Sequence, residues 1–451
     1  MKLTDAEKRN IVSLIEKGEF LPDEYRFKLF DSKNEIELLW DGKSNETTNT
    51  SLPFQIIEHV DEPREDKIEL QGNLFDDKGR QLRGWTNKLI WGNNSLVLSS
   101  LINGPLRNEI ENNGGLKLVY IDPPFNVGDD FEFDIEVGKQ RLHKKRNALE
   151  KLAFSDTWGK GADSFLSMFY ERIKLIKNLM SNDGSIYVHC DWRLNSAIRF
   201  ILDEVFGEKN FQNEIIWHYV KGASPPNRYG KKYNSIFFYS KTENYTFNLK
   251  DVSIPYNPET IARAKRGDPR YSKSAAELEK MGKNPGDVWT DINPLQGNSV
   301  EYLKYPTQKP EKLLERIILG SSNEGDLVGD FFCGSGTTLA VAEKLNRKWI
   351  GSDLGKFAIH ASRKRLINIQ REKKEANKNF RAFEVLNLGK YQREFFFKDY
   401  LSNSRSIKNV KSEEYYYNII LEAYKAQPVE NLTTLKGVKT NRFVAIGPFN
   451  L

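Results

Sequence analysis

LKLVYIDPPFNVG, residues 116–128, decides the fold. Leu116, Leu118, Val119, Tyr120 and Ile121 form a short apolar run rich in strand formers, bounded from behind by Asn112, Asn113, Gly114 and Gly115, so it predicts a buried strand. The strand ends on an acid. Asp122 therefore falls at the carboxyl edge of a sheet, where open α/β folds hold their ligands, and Pro123 and Pro124 fix the backbone as it leaves. With Phe125 next, a carboxylate, backbone carbonyls outside any helix ladder and an aromatic face lie within a few residues of one another. That set suits a flat heterocycle carrying an exocyclic amine. Taken alone, Asp-Pro-Pro is equally a loop marker, with Phe125 in the core.

A second stretch, DLVGDFFCGSGTTLA at 326–340, shows a strand, an acid at its end (Asp330), a turn containing Gly334 and Gly336, and the hydroxyls of Thr337 and Thr338 opening a helix. Glycine there permits positive φ and close approach of a ligand to the backbone. After that helix, KWIGSDL predicts a second strand that delivers Asp353 near its end. A doubly wound fold holds ribose hydroxyls with an acid in that position. The plainer reading is a strand–turn–helix unit with two incidental acids.

DPPF upstream and DFFCGSGTT downstream, with TQKP (307–310) before the latter, together resemble the amino-methylating DNA methyltransferases of the permuted class, in which the catalytic motif precedes the cofactor motif. KLIWGNNSLVLSSL, GSIYVHCDWR, NSIFFYSK and WIGSDLGKFAIHASRKRL are similar to the adenine-specific branch that includes the modification subunits of type III restriction systems. The resemblance implies an α/β fold: a doubly wound, mostly parallel seven-stranded sheet of the S-adenosylmethionine-dependent methyltransferase type, circularly permuted. It implies an N-terminal arm (1–80), a catalytic half (81–241), an inserted target recognition region (242–304), a cofactor half (305–390) and a C-terminal helical extension (391–451), shortened relative to longer relatives.

Carried onto this sequence, the resemblance makes Asp122, Pro123, Pro124 and Phe125 catalytic. It puts Asn93, Lys309, Pro310, Asp330, Phe332, Gly334 and Gly336 around S-adenosylmethionine, Thr337 and Thr338 near its carboxylate end, and Asp353 on its ribose. Family members usually carry an acid where Asn93 stands; its amide can hydrogen-bond the cofactor or simply cap a helix. Asn126 orients the loop or contacts the base, or is a turn residue. The implied activity is methyl transfer to N6 of a flipped-out adenine in double-stranded DNA, within a restriction-modification system. The resemblance is compatible with a homodimer and with a restriction subunit as partner. N4-cytosine methylation uses the same chemistry. A non-catalytic DNA-recognition subunit is the rival from another class, and intact Asp122, Phe125, Asp330 and Asp353 argue against it.

With 451 residues and 39% hydrophobic content, the chain can bury a large core and predicts one main domain with appended segments. No run approaches the ~20 apolar residues of a membrane span and the first residues lack a signal-peptide core, so a cytoplasmic protein is expected. Cys190 and Cys333 lie far apart and the five histidines have no paired spacing, which predicts neither a disulfide framework nor a metal site. No GxxxxGK[ST] occurs, so no NTP-driven motor is encoded. The net charge of +6 is modest, but its distribution is uneven. Clusters at 139–146 (with Lys144, Lys145 and Arg146), 228–232 (with Arg228, Lys231 and Lys232), 262–266 and 363–374 are candidate phosphate contacts, the last being equally a solvated helix face. The charged segment 129–160 is long for a connection and predicts a functional loop over the site. Residues 1–30 read as helical, IELLW (36–40) and LPFQIIEHV (52–60) as strands, and YQREFFFKDYL and SEEYYYNIILEAYKA as helices.

Overall fold

The computed structural model describes residues 5–17, 37–61, 84–124, 133–137, 140–144, 161–219, 225–270, 272–305, 307–389, 421, 427–428, 435–439 and 442–445. Met1–Leu39 and Trp40–Leu451 are separate compact units. The first contains helix α1 (Asp5–Glu16), whose Ile11 is buried.

In the second unit the chain runs through β1 (Gln55–Val60), β2 (Asn87–Trp91), α2 (Asn94–Asn103), α3 (Leu106–Asn112) and β3 (Leu116–Ile121). The hairpin β4 (Phe133–Val137) and β5 (Gln140–Lys144) follows, then α4 (Ala162–Leu179), β6 (Met180–Cys190), α5 (Asn195–Phe206), β7 (Phe211–His218) and β8 (Tyr233–Ser240). Short helices α6 (Leu249–Val252), α7 (Pro258–Lys265) and α8 (Ala275–Met281) and strand β9 (Val288–Trp289) lead to α9 (Glu311–Ser321). The last part of the sheet comes from β10 (Leu327–Asp330), α10 (Thr337–Lys344), β11 (Lys348–Asp353), α11 (Lys356–Glu375) and β12 (Phe383–Asn387). Beyond residue 390, the described residues include β13 (Gln427–Pro428), β14 (Leu435–Lys439) and β15 (Arg442–Ala445), which form a separate three-stranded sheet. The two aromatic-rich stretches expected to be helices lie outside the described residues, except Leu421, which is helical and buried.

The main sheet has the order β1-β12-β2-β11-β10-β3-β6-β8-β7-β9. The expectation of seven strands is thus corrected to ten among the described residues. Seven contiguous strands, β2 to β7 in that order, carry β12 and β1 on one edge and the two-residue β9 on the other. Local pattern does not reveal such additions, because β1 pairs antiparallel with a strand more than 300 residues away in sequence (Gln55 opposite Asn387). All pairs from β12 to β6 are parallel, while β8 is antiparallel to both β6 and β7. A parallel strand covered on both faces needs a continuous apolar run, and in β3 Leu116, Leu118, Val119 and Ile121 are fully buried.

IELLW does not form the expected strand: residues 37–40 are irregular. Trp40 is used instead as an anchor, donating Nε1–H to Ser167 at 2.7 Å and meeting Tyr170 edge-on at 5.6 Å. The crossover from β3 to β6 runs one way along the sheet and that from β10 to β11 the other. Right-handed connections therefore put α4, packed with α2 and α5, on one face and α10, packed with α9 and α11, on the opposite face. No helix among the described residues is long and apolar enough to cross a membrane.

Candidate active site

The reversal of strand order falls between β3 and β10, which lie side by side and parallel. At such a point the two chains leave the sheet in opposite directions and open a crevice at the carboxyl edge. Asp122 follows β3 there and Asp330 ends β10, while Asp353 ends the neighbouring β11 and Asp191 follows β6. Two segments about 200 residues apart in sequence (Asp122 and Asp330) thus bring the Asp-Pro-Pro strand and the glycine turn to one edge.

Asp122 is 18% exposed, and Lys309, 14% exposed, donates from Nζ to its Oδ2. Among the described residues Oδ1 accepts no hydrogen bond, so one oxygen remains available to a ligand N–H. Burial raises the Asp122 carboxyl above its usual range; the Lys309 charge opposes that rise and Asp191 adds to it. Pro123 is buried and Pro124 half-buried. Behind the acid, Tyr219 donates to Asn234 Oδ1 (3.1 Å), the Asn234 amide donates to His189 Nε2 (2.8 Å), and His189 Nδ1 faces the Tyr120 hydroxyl (2.9 Å). Burial first, then the Lys309 charge, pushes His189 far below its ordinary pKa, so it is a neutral spacer rather than a proton donor.

The turn after β10 is built by its glycines. Gly334 has φ +50° and Gly336 φ +71°, and a Cβ at Gly336 would lie 2.6 Å from Ser362 Oγ. Asp330 stiffens the turn from within: Oδ1 accepts the Phe332 N–H (3.0 Å) and Oδ2 the Thr338 hydroxyl (2.5 Å). Its carboxyl is raised to about 7, chiefly by burial, with Asp122 and Asp353 adding to the rise. The hydroxyl of Thr337 accepts from Arg365 Nη1 (2.9 Å) and lies 3.3 Å from the Lys309 carbonyl, so both threonines face protein partners. Asp353 accepts from the Gly334 N–H (2.9 Å) and the Gly355 N–H (2.8 Å), tying two loops together. Pro310 starts α9 and Phe332 is half-buried.

Asn93 takes the cap position: its side chain accepts from the Ser95 N–H at 2.9 Å as α2 begins. Its neighbour Asn94, which sequence reading passed over, donates to the Phe331 carbonyl (3.2 Å) and accepts from Arg172 (3.0 Å), joining α4 to the glycine turn. Also missed was the parallel ring pair Tyr305–Phe357, with centroids 5.7 Å apart; Tyr305 lies beside Gly334. Their separation by 52 residues hides the pair from any local motif.

The loop into β8 lies at the same edge, because β8 is antiparallel to β6 and Ser235 is opposite Cys190. Arg228 and Lys231 are exposed and Lys232 is half-buried. Lys231 and Arg193 flank the ring of Trp192, itself 45% exposed, and Tyr229 is 98% exposed. Phe125, Asn126, Lys145 and Arg146 lie outside the described residues, and Lys144 is described for its backbone alone. Two of the acids at this edge are paired, Asp122 with Lys309 and Asp191 with Arg193.

The profile of the DNA methylase family matches residues 116–364. The DNA adenine methyltransferase YhdJ of Escherichia coli (strain K12) is 32% identical over 257 residues, spanning 55% of this chain and 75% of that protein. The type II methyltransferase M2.DpnII of Streptococcus pneumoniae is 42% identical over 263 residues, spanning 56% of this chain and 82% of its own length. Among solved structures, the M1.HpyAVI-SAM complex is matched over 62% of this chain and 98% of that one, at 20% identity and a TM-score of 0.37.

Proposed function

The chain belongs to the DNA methylase family, and we propose that it transfers a methyl group from S-adenosylmethionine to N6 of an adenine flipped out of double-stranded DNA at a specific site, within a restriction-modification system. The observation that carries this reading is the adjacency of Asp122 and Asp330 on neighbouring parallel strands, which sets a carboxylate suited to an amine beside a glycine turn suited to a donor. S-adenosylmethionine supplies an electrophilic methyl group on a sulfonium sulfur. Asp330, Phe332, Gly334 and Gly336 hold it in this reading, with Thr337 and Thr338 bracing the turn and the Asp353 carboxylate at the end of β11 taking the ribose hydroxyls.

N6 of adenine is a weak nucleophile because its lone pair is delocalised into the ring, and in a duplex it is also paired and stacked. Extruding the base costs a few kcal/mol, which stacking on Phe125 offsets by ~1–3 kcal/mol. Oδ1 of Asp122 accepts one amino hydrogen and the Pro123 carbonyl the other, drawing the nitrogen toward tetrahedral geometry. Positive charge grows on nitrogen as the bond forms. The fixed negative charge of Asp122 stabilises it in a largely buried, preorganised site, and held geometry contributes much of the rest. The acid need not remove a proton before attack, and no covalent enzyme intermediate is required. Asn126 orients the loop, and Arg228, Lys231 and Lys232, with Lys144 to Arg146, meet phosphates, so affinity for DNA falls with added salt.

The test is transfer of labelled methyl from S-adenosylmethionine to DNA by the purified chain, followed by nucleoside analysis. N6-methyladenine is the expected product. N4-methylcytosine moves the reading to the pyrimidine amine, and DNA binding with no transfer under any condition overturns it in favour of a recognition subunit.

A further inference from the structure

TQKP (307–310) reads as a marker of the cofactor half, yet its side chains do something more specific. Thr307 has φ +62°, in the left-handed region that a β-branched residue rarely adopts, and Lys304 three residues earlier has φ +57°. Gln308 clamps the bend: its amide donates to the Glu301 carbonyl (2.7 Å) and its oxygen accepts the Leu303 N–H (2.9 Å). Pro310 then starts α9, and Glu301 accepts the Glu311 N–H at 2.9 Å. The outcome of this bracing is that Lys309 reaches across to Asp122 Oδ2, while its own carbonyl lies 3.3 Å from the Thr337 hydroxyl of the glycine turn.

We infer that Lys309 is a positioning residue for the catalytic acid: the left-handed turn at Thr307 and the Gln308 clamp hold its ammonium on Asp122 Oδ2, keeping the carboxylate ionised and leaving Oδ1 to the target amine. The inference rests on the proposed role of Asp122. The surroundings explain the need for it. Asp191, just after β6, opposes ionisation of Asp122, Tyr120 on the same strand is a buried phenol, and His189 is held neutral, so among the described residues Lys309 is the cation that counters burial. Lysine suits the task because a single-point donor satisfies one oxygen only, whereas a guanidinium fork tends to engage both. A cofactor-flanking role alone leaves the ion pair unexplained.

The experiment compares wild type with Lys309→Met and Lys309→Gln, using carboxyl carbon NMR of aspartate-labelled protein with the Asp122 signal assigned through Asp122→Asn. Both neutral variants are expected to raise the Asp122 titration midpoint by about one unit or more, and to move the acidic limb of kcat for methyl transfer upward by the same amount. Lys309→Arg keeps the midpoint near that of wild type and lowers kcat by restricting Oδ1. An unchanged Asp122 midpoint in both neutral variants overturns the inference, as does a loss of kcat that is equal at every pH. If wild type transfers no methyl group to DNA, the proposed function fails, and the carboxyl titration still decides the role of Lys309.

Discussion

Asp122→Asn is expected to transfer methyl groups on the order of 10³-fold more slowly than wild type, a loss of about 4 kcal/mol of transition-state stabilisation. The substitution preserves shape and one acceptor oxygen, so the target amine can still be held. It removes the negative charge that faces the positive charge growing on nitrogen. The loss therefore falls on kcat, with the Kd for S-adenosylmethionine changed only a few-fold, because the proposed donor site is the turn after β10 and not the Asp-Pro-Pro strand. The neutral amide also leaves Lys309 beside a partner with no charge. Thermal unfolding of the variant separates that structural cost from the chemical one. A variant that keeps wild-type kcat while folded removes Asp122 from the chemistry.

The second large effect is on stability against pH. Asp330 has its carboxyl raised to about 7, so in the folded chain it keeps its proton over a range where the unfolded chain has lost it. The folded state then binds more protons between about pH 4 and 7, and stability falls as pH rises through that window. Asp330→Asn mimics the protonated form, since its oxygen still accepts the Phe332 N–H and Thr338 Oγ accepts in place of donating. Relative to this variant, wild type is expected to lose up to about 4 kcal/mol between pH 4 and 7 and to change little above, the figure being three units at 1.36 kcal/mol each. Melting temperatures of both proteins across that range check it. A difference that is flat with pH, or that grows in favour of wild type as pH rises, contradicts the raised carboxyl.

The parts of this molecule that were legible in the sequence are those whose physics is local. An apolar run rich in strand formers, ended by an acid and two prolines, is readable as a buried strand with its carboxylate at the edge, and β3 with Asp122 has that form. The glycine turn before α10 was equally open to reading, because positive φ at Gly334 and Gly336 narrows the choice of residue. What stayed hidden depends on distant pairing. The partner of Asp122 is Lys309, 187 residues on, and nothing near either residue announces it. Asn93 and Asn94 stand side by side, and only the third dimension tells that the first caps a helix while the second reaches the glycine turn. LPFQIIEHV reads as a strand, but its place at the sheet edge beside β12 is not legible, because both join through register with remote chain and not through pattern. Motif likeness pointed to type III modification subunits, whereas M2.DpnII carries a type II name.

In the proposed function, one crevice, opened where the strand order reverses between β3 and β10, holds the methyl donor against the acid. A crystal structure of the chain with S-adenosylhomocysteine tests it most directly. The sulfur is expected over the turn of Gly334 to Gly336, with an open path from it to Oδ1 of Asp122. Density for the ligand at the other edge of the sheet, or walled off from Asp122 by the 304–310 segment, would contradict it.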